Sequence, residues 1–281
     1  MPKKILLTTD FSMSSWNAIQ YALKLYKNQE CDFYLLNTYA KDVYGLDSYV
    51  LLDPDDVFDK MSENLSKDGL GDVLAQLSGI DKNLKHRFHV FSRSERFLDA
   101  VRNLVYSLKI EMIVVGAKGK TNGEQGKYGR NTLGIIETIR KCPVLIVPKN
   151  ATFNQPEEIV LATNFNTDFD ISEIKYLVEI AKMSNARVQI LSLTDDSVMT
   201  PQQKDNKSLL ENYLVGLDYI FNVLHNVKMS AALSCFIEIK RSNMISYVDK
   251  KPSVWETLGF VRPSLGKLGY FNDVPVLALH G

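Results

Sequence analysis

Apolar and polar residues alternate along this chain with two different periods. The runs Ile5-Leu6-Leu7, Phe33-Tyr34-Leu35-Leu36, Met112-Ile113-Val114-Val115 and Val144-Leu145-Ile146-Val147 are short, nearly continuous and bounded by polar residues. That is the pattern of strands buried on both faces of a sheet. Between the first two, Ala18, Ile19, Ala22, Leu23, Leu25 and Tyr26 keep helical spacing. The pattern predicts strands over 4–9, 33–38, 86–91, 112–116 and 143–147. Helices are predicted over 14–27, 55–77, 95–108 and 132–140, with a glycine-rich loop before the last. Strands alternating with helices imply an α/β fold, a doubly wound parallel sheet covered on both faces.

The pattern then starts again. Lys4-Ile5-Leu6-Leu7-Thr8-Thr9-Asp10-Phe11-Ser12 is echoed 154 residues later by Glu158-Ile159-Val160-Leu161-Ala162-Thr163-Asn164-Phe165-Asn166. Both halves also close alike, with Cys142-Pro143-Val144-Leu145-Ile146-Val147 and Val274-Pro275-Val276-Leu277-Ala278-Leu279. Two tandem five-stranded sheets follow from this, in units 1–148 and 157–281 joined by the polar, proline-bounded stretch Lys149 to Pro156. In the second unit, strands are expected over 158–162, 187–192, 234–240 and 254–261. Helices are expected over 206–225 and 244–251 and from about 263. Reading Met244 to Val248 as the fourth strand leaves only Arg241-Ser242-Asn243 after a strand 234–240, too short for a parallel crossover. The expectation is therefore that the second unit has lost the long loop after its fourth strand.

Composition narrows the function. The 281 residues hold 33 Lys and Arg against 33 Asp and Glu, so no net charge favours nucleic acid or an anionic membrane surface. No apolar run approaches the roughly 20 residues of a membrane span, and no signal-peptide pattern opens the chain, so a cytoplasmic protein is expected. Cys31, Cys142 and Cys235 are too few and scattered for a disulfide framework or zinc site; the first two read as buried free thiols. The halves differ in charge: residues 1–150 carry 21 basic and 18 acidic residues, and the rest 12 and 15.

The excess of positive charge in the first half coincides with the loop Gly116-Ala117-Lys118-Gly119-Lys120-Thr121-Asn122-Gly123-Glu124-Gln125-Gly126-Lys127-Tyr128-Gly129-Arg130-Asn131-Thr132. Glycines let backbone N–H groups approach a phosphate, and the following helix start adds partial positive charge. Asn131 or Thr132 could bond a phosphate or cap that helix. It is not a P-loop, because Val114 stands where that motif needs glycine. The alternative is a surface loop with turn glycines.

With the repeat, Thr8-Thr9-Asp10-Phe11-Ser12, this loop and Cys-Pro-Val-Leu-Ile-Val-Pro together, the chain resembles a tandem universal stress protein. The resemblance is close over 1–148 and looser over 157–281. The family's nucleotide loop reads glycine, two residues, glycine, nine residues, glycine, then Ser or Thr; Gly116, Gly119 and Gly129 keep that spacing. The resemblance implies an adenine nucleotide alpha hydrolase-like fold. It implies ATP or AMP, with or without Mg²⁺, in the first half only. Asp10 would lie near the adenosine, Thr38 at the adenine contact, Gly116, Gly119 and Gly129 along the phosphates, and Asn131 and Thr132 at the helix start. Arg130 departs from the family's small hydroxyl residue; it either supplies charge or fills the site. Asp10 either serves the ligand or braces its own turn. The family's pairing of last strands across a dyad implies that 143–147 and 275–279 join antiparallel into an intramolecular pseudo-dimer, with a further homodimer left open.

Other constellations are weaker. His86 and His89 point to opposite faces of a strand, a poor ligand pair. His225 reads as a residue near a helix end, and Asp53, Asp55, Asp56 and Asp59 as a helix-start charge pattern. Tyr44, Leu46, Tyr49, Val50, Leu51 and Leu52 are an apolar stretch that either packs locally or covers a ligand or partner. The functions expected are stress-response binding and signalling through an adenine nucleotide and a protein partner, without efficient catalysis, slow ATP hydrolysis apart. The rivals are a nucleotide-free interaction scaffold and an adenylate-using ligase, whose Ser-Gly-Gly loop is absent after the first strand.

Overall fold

The computed structural model describes residues 1–39, 54–119, 127–249 and 265–280, with the side chains of 54–59 and 266–267 left aside. The first half runs β1 (Lys3–Thr8), α1 (Met13–Leu25), β2 (Cys31–Thr38), α2 (Pro54–Ile80) and β3 (His86–Arg93), then α3 (Phe97–Leu108), β4 (Met112–Gly116), α4 (Arg130–Thr138) and β5 (Val144–Val147). Every element expected here is present. The second half runs β6 (Glu158–Ala162), α5 (Ile171–Ser184), β7 (Arg187–Ser192), α6 (Pro201–Tyr213) and β8 (Tyr219–Val223), then α7 (Met229–Lys240), β9 (Met244–Asp249), α8 (Leu265–Leu268) and β10 (Val276–His280).

Ten strands form one sheet in the order β3-β2-β1-β4-β5-β10-β9-β6-β7-β8. Each half is parallel throughout, and the two join where β10 pairs antiparallel with β5, Leu277 opposite Leu145. The expected pairing of last strands is thus present, and it removes one exposed edge from each half. One core layer, with α1, α2, α5 and α6, covers one face of the sheet, and a second, with α3, α4, α7 and α8, covers the other. Across the seam, Lys3 Nζ on β1 reaches the Glu179 carboxylate on α5 at 2.6 and 2.7 Å.

The second half departs from expectation in four places. Residues 234–240 belong to α7, not a strand. Their alternation Phe236-Ile237-Glu238-Ile239 reads as β, but Ala232, Leu233 and Phe236 make the buried helical face and Ile239 is exposed. The expected helix 206–225 is α6 followed by β8, and His225 follows that strand. Met244–Asp249 is the fourth strand of the second sheet, buried at all six positions. A three-residue connection is ample because it joins helix to strand. The expected strand 254–261 lies outside the described residues.

The loop after the fourth strand has not been lost. Ile5 pairs with Met112, and its counterpart Ile159 pairs with Met244. The offset of 132 from Met112 to Met244 is the same from Pro143 to Pro275. The segment between is therefore equally long in both halves. Val248 stands where the first half has Gly116, and Asp249 where it has Ala117. The shortening lies earlier: α2 has 27 residues and α6 has 13.

Candidate functional site

Ligands of parallel sheets sit beyond the carboxyl ends of strands where the strand order reverses. In the first half that point lies between β1 and β4, with β2 beside β1. A cleft of about 150 Å³ opens there, walled by Asp10, Thr38, Gly116, Gly119, Asn131 and Thr132. Thr9, Asn37, Phe97, Val115 and Lys118 are also among its lining residues. Six of the eight candidate residues are thus brought together.

Asp10 sits on a strained turn. Phe11 adopts φ 60°, a left-handed conformation that costs a residue with a Cβ roughly 1–2 kcal/mol. Two side chains hold it: Thr9 Oγ1 accepts the Phe11 N–H at 3.0 Å, and Asp10 Oδ1 accepts the Ser12 N–H at 3.1 Å. Ser12 then caps α1 by accepting the Ser15 N–H at 3.2 Å. The second half repeats the device, with Phe165 at φ 57° and Thr163 and Asn164 making the same two bonds at 3.0 and 3.1 Å. Bracing the turn therefore accounts for Oδ1 of Asp10. Its other oxygen faces the loop: a Cβ on Gly119 would stand 2.8 Å from Oδ2.

Gly116 is required by packing as well. A Cβ there would lie 2.7 Å from Ser14 Oγ and about 3 Å from Ser14 backbone atoms. Thr132 is buried, and its hydroxyl donates to the Gly116 carbonyl at 2.9 Å, tying the start of α4 to the end of β4. Gly129 is the N-cap of α4, makes no side-chain cap bond, and lies against the Lys118 backbone. Arg130 is exposed and does not line the cleft. Asn131 is exposed at the rim, and Thr38 is half-buried at the end of β2. Residues 120–126, with Lys120, lie outside the described residues, as do Asp53 and the apolar stretch Tyr44 to Leu52.

Sequence reasoning missed two contributions. Asn37, whose Nδ2 donates to the Thr9 carbonyl at 2.8 Å, and Phe97 at the start of α3 line the cleft, and no motif marks either. Tyr270 of the second half meets Tyr128 edge to face at 4.9 Å, and Lys118 Nζ lies 4.9 Å from the Tyr270 ring centroid. The loop of one half is thus held partly by the other.

In the second half larger side chains stand at the corresponding described positions. Val248 and Phe169, both buried, stand where the first half has Gly116 and Ser14. From α6, Gln203 Nε2 and Asn206 Nδ2 donate to the carbonyls of Asn164 and Phe165, each at 2.9 Å.

The remaining candidates are structural. His86 is buried against Asp81, Nδ1 to Oδ2 at 2.6 Å, while His89 stacks on Tyr34 on the opposite face. Burial pushes the Cys31 and Cys142 thiols up to about 12, which leaves them unreactive at neutral pH; Cys235 is exposed. Among the described residues no three His, Cys, Asp or Glu side chains converge as a metal site, and no described helix is long and apolar enough to cross a membrane.

The model of the universal stress protein family matches residues 1–148. A universal stress protein from Archaeoglobus fulgidus superposes with TM-score 0.67 at 17% identity, over 99% of this chain and 98% of its own. A candidate universal stress protein from Pseudomonas aeruginosa superposes with TM-score 0.53 at 10% identity, over 99% and 93%. At these identities the likeness is one of fold. No curated protein matches the chain in sequence.

Proposed function

The chain belongs to the universal stress protein family, and from that premise we propose that the cleft of its first half binds an adenine nucleotide, ATP or AMP. The observation that carries the reading is the start of α4. Its first turn has no side-chain cap, Asn131 and Thr132 from that turn line the cleft beside Lys118, and Arg130 adds a cation at the same end. Unpaired first-turn N–H groups and a positive helix end favour a bound anion. A cation placed there is unfavourable unless an anion offsets it.

In this reading Asp10 and Thr38 hold the adenosine side, with Phe97 and Val115 as apolar walls. Gly116, Gly119 and Gly129 keep side chains away from the phosphates, and Asn131 meets them, while Arg130, outside the cleft wall, adds charge at the helix start. Mg²⁺, where present, accompanies the phosphates. Units 1–148 and 157–281 then play different parts, the first binding the nucleotide and the second serving as its pseudo-dimer partner. We assign no catalytic residue. The role is cytoplasmic binding and signalling, in which nucleotide occupancy biases contact with a protein partner or with a second copy of the chain.

One observation favours the second reading, a nucleotide-free scaffold. The described cleft measures about 150 Å³, below the roughly 300–1,000 Å³ of most small-molecule sites. Calorimetric titration with ATP and AMP, with and without Mg²⁺, separates the two. Saturable binding that weakens at least tenfold in Gly119→Val and Asp10→Ala is the expected result. Absence of saturable binding at millimolar nucleotide would overturn the reading and leave the scaffold.

A further inference from the structure

A second cavity, of about 610 Å³, lies at the seam of the two halves, away from the cleft just described. Lys109 after α3, Arg140 and Lys141 after α4, Lys175 and Tyr176 on α5, and His280 at the end of β10 line it. Among the described residues no carboxylate does. Its volume falls within the roughly 300–1,000 Å³ of small-molecule sites.

The repeat offers an internal control. Lys4 pairs with Asp32 and its counterpart Glu158 with Arg187, an offset that places Tyr21 where the second half has Tyr176, and Asn17 where it has Ser172. In the first half that place is filled by the connecting segment: Phe153 meets the Tyr21 ring edge to face at 5.0 Å. Asn17 Nδ2 also donates to the Pro148 and Ala151 carbonyls, each at 2.9 Å. Around Tyr176 the same place is a cavity. Its charge has diverged too: Lys175 and Lys141 correspond to Gln20 and Asp273.

Beneath the cavity His280 is the anomaly. Its side chain is 0% exposed, and among the described residues no hydrogen bond of good geometry reaches either ring nitrogen. Buried polar atoms are almost always paired, but with no side-chain exposure the ring lies beneath the cavity wall, which His280 meets through its backbone. The Asp249 Oδ2 oxygen is 3.9 Å from Nδ1 and is taken by Arg140 Nη2 at 2.7 Å. Burial first, and then the Arg140 charge, push the His280 pKa down to about 3, against a smaller opposing pull from the Asp249 backbone. The ring is therefore neutral and offers one donor and one acceptor.

We propose that this seam cavity binds a small organic phosphate with a flat apolar body. Arg140 spends its fork on Asp249, so the cations left to the ligand are lysine ammoniums, which serve phosphate as point charges better than they recognise a carboxylate fork. Tyr176 provides a wall for the apolar body, and the His280 ring lies beneath the cavity as a reporter of its occupancy.

Phenyl phosphate is the probe, titrated calorimetrically into the full chain with inorganic phosphate as a parallel arm, while the ring ¹⁵N signals of His280 are followed. Phenyl phosphate should bind saturably, more tightly than inorganic phosphate, and shift the His280 signals. The exposed triple variant Lys109→Gln/Lys141→Gln/Lys175→Gln should weaken it at least tenfold, whereas Lys24→Gln/Lys27→Gln, around another basic cavity, and Asp10→Ala should not. Absence of saturation, equal loss in the two lysine variants, or loss in Asp10→Ala with retention in the triple variant would each overturn the proposal. The last result would place the probe in the nucleotide cleft.

Discussion

The strand-end clefts of the two halves share a backbone and differ in what fills it. Both keep the Thr-Asp/Asn-Phe turn with its left-handed phenylalanine and the same two bracing bonds. Both keep the same length from fourth strand to last. Gly116 becomes Val248, the Ser14 position becomes Phe169, and Gln203 and Asn206 donate to the turn carbonyls. The turn therefore belongs to the fold, since it persists where the described cleft-lining residues do not. The cleft depends on side chains being absent. At the end of β9 the second half places Asp249 where the first has Ala117, and turns that residue to Arg140 across the seam.

Breaking that seam pair should have the largest effect. Arg140 and Asp249 are mostly buried, with Arg140 Nη1 donating also to the Asp249 carbonyl at 2.5 Å. Arg140→Leu strands a buried carboxylate and should cost about 3 kcal/mol in a denaturant titration. A loss under about 1 kcal/mol would mean that the second half's exchange of Ala for Asp is incidental.

Acid probes the same end of the second half. The His280 pKa is depressed to about 3, so the unfolded chain binds a proton that the folded one refuses. Stability is intact above the unfolded value near 6.5 and falls with pH until the folded value, by up to about 1.4 kcal/mol per unit. Between pH 6 and 4 the loss due to this group should be about 2 kcal/mol, and His280→Gln should flatten that part of the profile. An unchanged slope would assign the acid sensitivity elsewhere.

Making the first half resemble the second comes next. Gly116→Val installs the side chain of position 248, and its Cβ would meet Ser14 at 2.7 to 3.1 Å. Overpacking of this kind costs about 2 kcal/mol, and nucleotide binding should be lost with it. Full stability would mean that Ser14 yields easily and that the glycine serves the ligand alone.

How much of this was legible depended on whether local pattern and tertiary setting agreed. In the first half, continuous apolar strands lie between helices with clear periodicity, and the boundaries hold to within a few residues. In the second, Cys235 to Lys240 alternates like a strand while its burial is helical. In β9, Ser246 and Asp249 break an apolar run although every position is buried. One misread helix then made the true fourth strand look topologically impossible. Of the site, the glycine spacing and the Asp10 turn were readable because they are local. Phe97, Asn37 and Tyr270 were not, because only the folded sheet brings them to the loop. The seam cavity draws on α3, α5, the end of α4 and the end of β10, and no single window of sequence contains it.

The smallest expected effect is the sharpest test of which features are fold and which are site. Thr9→Val and Thr163→Val each remove the hydroxyl that accepts the N–H of the left-handed phenylalanine. Both threonines are nearly buried, so each change should cost about 1 kcal/mol. The cost should be similar in the two halves, because the turn does the same work in both; Thr9 also contacts Ser15 Oγ at 3.1 Å, which should make it slightly the larger. Asp10→Ala and Asn164→Ala should then separate. Each loses one turn bond of similar length, but among the described residues only Asp10 sets an oxygen against a loop glycine. Equal stability losses with nucleotide affinity reduced in Asp10→Ala alone would establish that one turn was kept for folding and one of its copies was also kept for binding. Equal effects on affinity would remove the distinction between the halves.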